Sequence, residues 1–293
     1  MSQISRRDFL VTGAAAGALA TLGTLPLSAE QQAATEWVTL GKSGVKVTRL
    51  AFGTGSISGA VQRELGQEGF NRLVRHAYER GIRFFETADS YGGMHEMLGV
   101  ALQGIPRDSY RLMTKVTTFD GEDPQKKIDN LRRQIRSDYF DILLLHWQHN
   151  GTWVQDTRHW QDAVLVAQKR NAVVARGVSV HGLPALRQVP GFDWLQVAMI
   201  RVNHKGSHMD AEVADVPEPG NVPEVVKHVH QSKAAGMGII SMKLIGEGSF
   251  SREDRQKAMR FAFQNAKVDC VTVGYKNNNE IDEAIENINL AYA

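Results

Sequence analysis

Short hydrophobic runs alternate with amphipathic segments along most of the chain. The runs are rich in β-branched and aromatic residues, which favours strands, whereas the segments between them repeat their apolar residues at helical spacing. The pattern predicts strands at about 49–52, 82–87, 110–115, 141–146, 173–180, 195–202, 238–244 and 269–274. The helices predicted to follow them lie at about 68–80, 95–102, 123–136, 161–170, 183–188, 222–235, 252–265 and 280–291.

This strict alternation predicts an α/β fold with a parallel sheet. Eight strand–helix units in ~250 residues favour a closed (β/α)8 barrel, the TIM barrel, over an open doubly wound sheet. No G-x-G-x-x-G motif follows the first strand, which also argues against the open sheet. A glycine-bounded turn within 40–47 predicts a short β-hairpin ahead of the barrel. No linker or shift in composition indicates a second domain, so we predict one domain over 30–293.

The first 29 residues are predicted to be an export signal that is removed from the mature protein. Ser5-Arg6-Arg7-Asp8-Phe9-Leu10 is a twin-arginine pattern, and an apolar run rich in Ala and Gly leads to a cleavage site after Ala29. Because glycines and Pro26 interrupt this run, we expect no stable membrane span. The signal predicts the twin-arginine translocation machinery as a partner and the periplasm as the destination; a disordered basic N-terminus is the alternative.

Composition excludes several classes of function. A net charge of +2 gives no electrostatic reason to expect a nucleic-acid partner. The single cysteine, Cys270, cannot form an internal disulfide and is expected to be buried in a strand. The histidine pairs 204/208 and 228/230 have no carboxylates at metal-ligand spacing, so no metal site is expected. The mixed surface charge favours a monomer, and Lys126 and Lys127 are expected on a solvated helix face.

Ionisable residues stand at the ends of three successive predicted strands. Glu86 lies near the end of the second strand with Tyr91 five residues later, Lys115 ends the third strand and His146 the fourth. In a parallel barrel the active site lies where the carboxyl ends of the strands converge. We therefore predict that these four side chains form one site.

Such a site suits general acid catalysis at a carbonyl group. The Tyr91 phenol has an ordinary pKa of ~10, and a nearby Lys115 ammonium would lower that pKa. Glu86 would hold the ammonium in place, and His146 would donate a hydrogen bond to a substrate oxygen. Because an acid alone reduces nothing, a hydride donor is required, and a nicotinamide is the usual one.

The same residues resemble those of a known family. Six segments match the aldo-keto reductases in order: Leu40–Gly44, Phe52–Gly55, Phe84–Gly99, Met113–Lys115, Leu143–Trp147 and Arg176–Ser179. The resemblance covers about 37–293. It implies a (β/α)8 barrel that binds NADPH in an extended pose and reduces aldehydes and ketones to alcohols.

By this resemblance, Tyr91 is the acid/base residue, Lys115 its partner and His146 the ligand of the substrate oxygen. The fourth family residue is an Asp five positions before the Tyr, where this chain has Glu86. The extra methylene displaces the carboxylate, and a ~1 Å displacement in a catalytic site can cost about a hundredfold in rate. Asp89 is the alternative carboxylate, at a different spacing from Tyr91.

The resemblance also implies the cofactor contacts. Ser179 would meet the nicotinamide amide, and Met242 or Lys243 would replace the family's stacking aromatic residue on the seventh strand. Leu244 and the loop containing Gly246 would lie by the pyrophosphate, where backbone N–H groups can bind it.

After the last strand, Gly274, Lys276 and Asn277 match the segment that holds the adenosine 2′-phosphate. Lys276 would supply one positive charge, but Glu280 stands where the family usually has an Arg. NADP is therefore the expected cofactor, with NAD as an open alternative.

The substrate side is the least determined. Trp147, Trp153 and Trp160 are candidate walls of the pocket, and the alternative for Trp153 and Trp160 is ordinary packing of a loop on the fourth helix. Since the sequence stops within the eighth predicted helix, we expect an open pocket without the C-terminal loop of long family members.

Together these features predict an exported NAD(P)H-dependent oxidoreductase that interconverts a small-molecule carbonyl compound and an alcohol. Two alternatives remain. One is a barrel that has lost rapid catalysis and binds a ligand or a protein partner, favoured by Glu86, Glu280 and the missing aromatic residue. The other is a barrel enzyme that works without nicotinamide.

Overall fold

The computed structural model describes residues 33–119, 121–213 and 219–293. The predicted signal, 1–29, and its cleavage site lie outside these residues. The strands are β1 Trp37–Thr39, β2 Lys46–Thr48, β3 Leu50–Gly53, β4 Phe84–Glu86, β5 Arg111–Val116, β6 Phe140–Gln148, β7 Val173–Val180, β8 Val197–Arg201, β9 Gly238–Met242 and β10 Cys270–Gly274. The helices are α1 Ala60–Arg63, α2 Gly66–Glu79, α3 Met94–Ala101, α4 Pro124–Gln134, α5 Trp153–Asp156, α6 Arg158–Lys169, α7 Leu183–Leu186, α8 Val222–Ala234, α9 Arg252–Arg260 and α10 Asn278–Tyr292.

Strands β3 to β10 form a closed barrel. Each strand from β3 to β9 pairs in parallel with the next along the chain, β9 pairs with β10, and β10 closes the ring against β3. The predicted (β/α)8 barrel is therefore confirmed. The hairpin is confirmed too, since β1 and β2 pair antiparallel.

The outer helices bury the apolar faces that their spacing predicted. In α2, the four apolar residues at 70, 73, 74 and 77 are buried against the sheet. Helix α4 begins where its sequence predicts, because the Asp123 side chain accepts a hydrogen bond from the Lys126 N–H at 2.8 Å and Pro124 follows it. The sequence did not reveal the short helices α1 and α5, which have too few residues to show a period.

The hairpin closes the N-terminal end of the barrel. Leu40, Val45 and Val47 belong to the cluster of buried side chains that fills the barrel interior, and an isolated bridge joins Gly41 to Met237. This interior cluster also contains residues of all eight barrel strands: Ala51, Phe84, Met113, Ile142, Leu144, Ala175, Val197, Met199, Ile240, Met242 and Cys270. Since one end is plugged, a ligand can reach the interior only from the carboxyl ends of the strands.

Several further expectations concern single features. Cys270 is buried in β10, as predicted. Within the described ranges, no helix is both long enough and apolar enough to cross a membrane. Within the same ranges, no three His, Cys, Asp or Glu side chains are grouped so that they could hold a metal ion.

Candidate active site

Strand alternation brings the predicted catalytic residues to the open end of the barrel. Side chains two positions apart on a strand point to the same face. The residues two positions before Glu86, Lys115 and His146 all belong to the interior cluster, so these three side chains form the next layer towards the strand ends. All three are buried.

A buried ion pair forms the floor of this layer. The Lys115 ammonium contacts the Glu86 carboxylate and also donates to the Thr87 carbonyl oxygen at 3.1 Å. The second oxygen of Glu86 accepts a hydrogen bond from the Thr272 hydroxyl at 3.3 Å. Burial lowers the pKa of Lys115, and the adjacent carboxylate opposes that effect by favouring the charged ammonium.

The Tyr91 ring lies directly above the ion pair. The Lys115 ammonium is 4.8 Å from the centre of the ring, and the His146 ring meets it edge to face at 5.7 Å. A Cβ atom at Gly55 would lie 2.7 Å from the phenolic oxygen. Position 55, in the loop after β3, therefore has room for glycine but not for a larger residue. The Tyr91 backbone is anchored in a turn, its N–H donating to the Ala88 carbonyl at 3.1 Å.

Tyr91 differs from the expectation in its pKa. Burial raises the pKa of the phenol, and the carboxylates of Asp89 and Glu247 raise it further. The phenol pKa is therefore raised and not lowered as expected, because burial and the two carboxylates dominate. A raised pKa keeps the phenol protonated, which suits a proton donor.

His146 is uncharged at neutral pH. Burial lowers its pKa well below the usual range, and the Lys115 ammonium lowers it further. Its Nδ1 atom lies 3.2 Å from the Ser90 hydroxyl and 4.0 Å from the Asp89 carboxylate. If Ser90 donates to Nδ1, the proton is on Nε2, and that nitrogen is a hydrogen-bond donor.

Asp89 is held by Thr117 and Lys127 and has no contact with Lys115 among the described interactions. Its carboxylate accepts from the Thr117 N–H at 2.7 Å and from the Thr117 hydroxyl at 2.9 Å, and it pairs with the Lys127 ammonium at 2.7 Å. The alternative placing Asp89 in the role of Glu86 thus finds no support. The expectation that Lys127 lies on a solvated face is wrong, since Lys127 is buried whereas Lys126 is exposed.

A cleft of about 290 Å³ begins at Tyr91 and Glu86 and extends between the loop after β9 and the start of α10. It is also lined by charged residues of α9, α10 and the loops before them. The described residues therefore offer an elongated groove with a proton donor at one end and paired charges along it. This arrangement fits an extended nicotinamide nucleotide.

Four of the seven predicted cofactor residues line this cleft: Lys243, Leu244, Gly274 and Lys276. Ser179, Gly246 and Asn277 do not. Ser179 is fully buried on β7, where its hydroxyl lies 4.0 Å from the Met242 sulfur. Met242, on the strand where the family's aromatic residue was expected, lines the cleft, and so does Met199 on the strand before it.

Two of the predicted polar contacts are used within the protein. The Gly246 N–H donates to the Lys243 carbonyl at 3.2 Å. The Asn277 side chain caps α10 by accepting from the Glu280 N–H at 3.1 Å. Neither residue is among those that line the cleft.

The tryptophans divide into two kinds. Trp147 forms an aromatic group with Phe119 and His149, whose ring centres lie 6.1 and 4.3 Å from its own. Trp153 and Trp160 are fully buried, and their indole N–H groups donate to backbone carbonyls. The suggestion that these two line a pocket is therefore wrong, and the packing alternative is correct.

Comparison with known proteins identifies the family. A family model described as the aldo/keto reductase family matches residues 49–289. The chain belongs to the aldo-keto reductases. A second model, the signal sequence of the twin-arginine translocation pathway, matches residues 3–23, so this aldo-keto reductase carries an export signal.

Characterised relatives match parts of the chain. L-galactose dehydrogenase of Arabidopsis thaliana is 34% identical over 117 residues, which are 36% of this chain and 36% of that protein. Methylglyoxal reductase of Salmonella typhi is 28% identical over 119 residues, which are 39% and 44% of the two chains. The matches therefore span less than half the length of these relatives.

A solved structure supports the fold over a longer stretch. The holo form of an aldo-keto reductase from Bacillus halodurans has a TM-score of 0.67, with 17% identity over 86% of this chain and 90% of that one. Its similarity concerns the fold. The family model and the names of these relatives, a dehydrogenase and a reductase, place the chain in a family of NAD(P)H-using oxidoreductases.

Sequence reasoning missed three residues that support the site in this aldo-keto reductase: Thr272, Ser90 and Lys127. Thr272 could have been found from strand alternation, because it lies two positions after the buried Cys270. Ser90 directly precedes Tyr91 in the motif. No sequence signal pointed to Lys127, whose partner Asp89 lies 38 residues away on another element.

Proposed function

We propose that this protein is an exported carbonyl reductase that transfers a hydride between a nicotinamide nucleotide and a small aldehyde or ketone, or runs the reverse reaction. The observation that carries this proposal is the position of the Tyr91 phenol over the buried Lys115–Glu86 pair, at the end of a cleft open to an elongated ligand. Proton transfer by a positioned side chain contributes typically ~10²–10⁴ to a rate.

Each residue has a distinct role. Tyr91 would hold the proton at its phenolic oxygen and donate it to the substrate oxygen as that atom gains negative charge. Lys115, held by Glu86, would stabilise the phenolate left behind. His146, neutral and contacted by Ser90 through Nδ1, would donate a hydrogen bond from Nε2 and orient the substrate oxygen.

A nicotinamide nucleotide bound in the cleft would supply hydride chemistry to this site. The residues that would hold it line the cleft: Met199, Met242, Lys243, Leu244, Gly274 and Lys276. Ser179, Gly246 and Asn277 would help to shape this cleft through the backbone and by packing. Lys276 favours NADP, and the adjacent Glu280 favours NAD.

For the substrate, we propose a small oxygen-rich carbonyl compound. Two relatives carry names of enzymes that act on L-galactose and on methylglyoxal. The Trp147 group, with the exposed Phe119, would form an aromatic wall beside His146. Aromatic faces of this kind suit the C–H surfaces of sugars and small ketones.

The export signal supports a periplasmic location. The twin-arginine machinery would be the transport partner, cleavage after Ala29 would release residues 30–293, and the mature protein would act as a monomer. The machinery carries folded proteins, so the cofactor could be bound before export.

The decisive experiment compares the mature protein, residues 30–293, with its Tyr91→Phe variant. Both are titrated with NADH and NADPH by nucleotide fluorescence, and then assayed against a panel of sugar and dicarbonyl substrates. We expect both proteins to bind the nucleotides. The activity of the variant should be lower than that of the unaltered protein by about 10²-fold or more. Equal activity in the two proteins would contradict the proposed role of Tyr91.

A second candidate function is a ligand-binding barrel without rapid catalysis. The observation that favours it is the Gly246 N–H, which is already bonded within the loop that would face the nucleotide. If the folded protein binds neither nucleotide, this candidate replaces the reductase.

A further inference from the structure

Three cations line the cleft, and each is paired with a glutamate that also lines it. The firmest pair is between Arg255 of α9 and Glu283 of α10. It is bidentate, with Nε–Oε1 at 2.6 Å and Nη2–Oε2 at 2.9 Å. Arg255 lowers the pKa of the Glu283 carboxyl, which is therefore ionised at neutral pH.

The second pair lies in the loop after β9. The Lys243 ammonium contacts the Glu247 carboxylate four residues later. Both residues have left-handed backbone, with φ of 55° and 52°. This conformation is costly for residues other than glycine. The positive charge of Lys243 is thus neutralised by a carboxylate of the same loop.

The third pair stands at the start of α10. The Lys276 ammonium is 3.7 Å from the Glu280 carboxylate. The same carboxylate accepts from the Lys276 N–H at 2.9 Å and from the Asn277 side-chain amide at 3.3 Å. These donors, at a helix N-terminus, are the ones that a phosphate would use. Glu280 already occupies them.

The charges of the cleft therefore balance. Three ion pairs line it, Arg255 with Glu283, Lys243 with Glu247 and Lys276 with Glu280. The Lys115–Glu86 pair below Tyr91 is neutral as a whole too. Among the described lining residues, no positive charge remains in excess. A cleft of this kind does not compensate an added phosphate, which carries about −1.5 to −2 charges at neutral pH.

We propose that this protein selects NAD(H) over NADP(H), and that Glu280 is the residue that excludes the 2′-phosphate. The inference rests on the proposed reductase function. The reacting nicotinamide must lie beside Tyr91, so the adenosine half must extend towards α10. The pair at that end is Lys276 with Glu280, and it is also the most exposed of the three, so a ligand phosphate would meet it directly.

The test uses the mature protein, residues 30–293, and its Glu280→Gln variant. Glutamine keeps the hydrogen-bonding shape that caps α10 but removes the charge. Dissociation constants for NADH and NADPH are measured by nucleotide fluorescence, at low and at moderate salt. We expect NADH to bind the unaltered protein about tenfold more tightly than NADPH. In the variant, NADPH binding should strengthen about tenfold, with NADH changed much less and the gain reduced by salt.

Glu286→Gln is the matched control. Glu286 lies on the same helix and pairs with Arg252 at 3.3 Å, but it does not line the cleft. This variant should leave the ratio of the two dissociation constants unchanged.

The possible failures can be told apart. Tighter binding of NADPH to the unaltered protein, or an unchanged ratio in Glu280→Gln, overturns the selectivity while leaving the reductase proposal standing. No binding of either nucleotide overturns the reductase proposal itself and this inference with it.

Discussion

Glu86 accommodates an additional methylene by holding two partners at once. One carboxylate oxygen contacts the Lys115 ammonium and the other accepts from the Thr272 hydroxyl. A side chain that bridges from β5 to β10 across the barrel has little freedom to move. The departure from the family's Asp is therefore built into the packing of this site, and it gives no reason in itself to expect a loss of activity.

Gly55 is needed for its lack of a side chain. In Gly55→Ala the added Cβ would lie 2.7 Å from the Tyr91 phenolic oxygen, so the phenol must shift. Because a ~1 Å displacement can cost about a hundredfold, we expect kcat to fall by that order, measured with any carbonyl substrate the enzyme accepts. Gly92→Ala is the control, since nothing lies within 4 Å of its Cβ position. Equal losses in the two variants would disprove the argument.

His95 should make the stability of the protein depend on pH. Burial lowers the pKa of His95 to about 4, and the unfolded chain has the ordinary value of 6.5. As the pH falls from about 6.5 to 4, the unfolded chain takes up a proton that the native protein does not. The free energy of unfolding should therefore decrease by about 3 kcal/mol in this window and depend little on His95 above it.

Urea unfolding at several pH values tests this prediction. His95→Gln keeps a polar partner for the Thr114 hydroxyl, which lies 2.8 Å from the histidine ring, and it removes the titrating group. The variant should lose less stability between pH 6.5 and pH 4 than the unaltered protein. The same loss in both would assign the effect to other groups.

At the scale of elements, the strained backbone is concentrated in the loops around the site. Among the residues that the structure describes, nine other than glycine have positive φ. Three of them, Arg136, Asn171 and Lys267, follow the ends of helices, where left-handed residues are common. The other six lie at or after the carboxyl ends of barrel strands: Ile57, Ser58, Trp147, His208, Lys243 and Glu247. Strain of this kind collects at functional sites, and its location agrees with the open end of the barrel.

Lys127 of helix α4 forms an ion pair with Asp89 beside the site. In Lys127→Gln the buried Asp89 carboxylate loses its cation, and loss of one partner of a buried pair costs about 3–5 kcal/mol. We expect that decrease in the free energy of unfolding, measured with urea. Activity should also fall, because Asp89 lies 4.0 Å from His146.

Lys126→Gln is the natural comparison for this helix. Lys126 is the preceding residue and is exposed, so its replacement should change stability by no more than about 0.5 kcal/mol. Similar effects of the two substitutions would show that Lys127 is an ordinary surface lysine.

At the scale of the whole molecule, stability and chemistry occupy opposite ends of the barrel. The hairpin plugs the N-terminal end with Leu40, Val45 and Val47, while the candidate site lies at the carboxyl ends of the strands. The two ends are separated by the interior cluster. A substitution in the plug should therefore lower the free energy of unfolding and have little effect on the rate of the chemical step.

Leu40→Ala tests this separation. Leu40 is fully buried, and removing a buried leucine side chain costs about 2–5 kcal/mol. We expect a loss of that size in urea unfolding and little change in kcat per folded molecule. Val38→Ala, at a half-buried position of the same hairpin, should cost less. A large fall in kcat for Leu40→Ala would show that the plug and the site are coupled.

The sequence by itself determined the barrel, its hairpin and the layer of Glu86, Lys115 and His146. Hydrophobic periodicity is a local property, so the sequence displays it directly. Once parallel strands close into a barrel, their carboxyl ends meet at one end of it. The same logic placed Tyr91 in the loop that follows the strand of Glu86. Most strand and helix bounds differ from the prediction by only a few residues, as expected where the ends of elements fray.

Only the tertiary structure decided which charges pair. Lys127 and Asp89, Arg255 and Glu283, and Glu86 and Thr272 lie 28 or more residues apart in sequence. Their pairing requires helices and strands to be packed, and no local pattern encodes it. Burial is decided in the same way, since Trp153 is buried and Phe119 exposed although both are aromatic residues that follow neighbouring strands, β6 and β5. The pKa values of Tyr91 and His146 follow from that burial, so the chemistry of the site is set by packing that the sequence alone does not display.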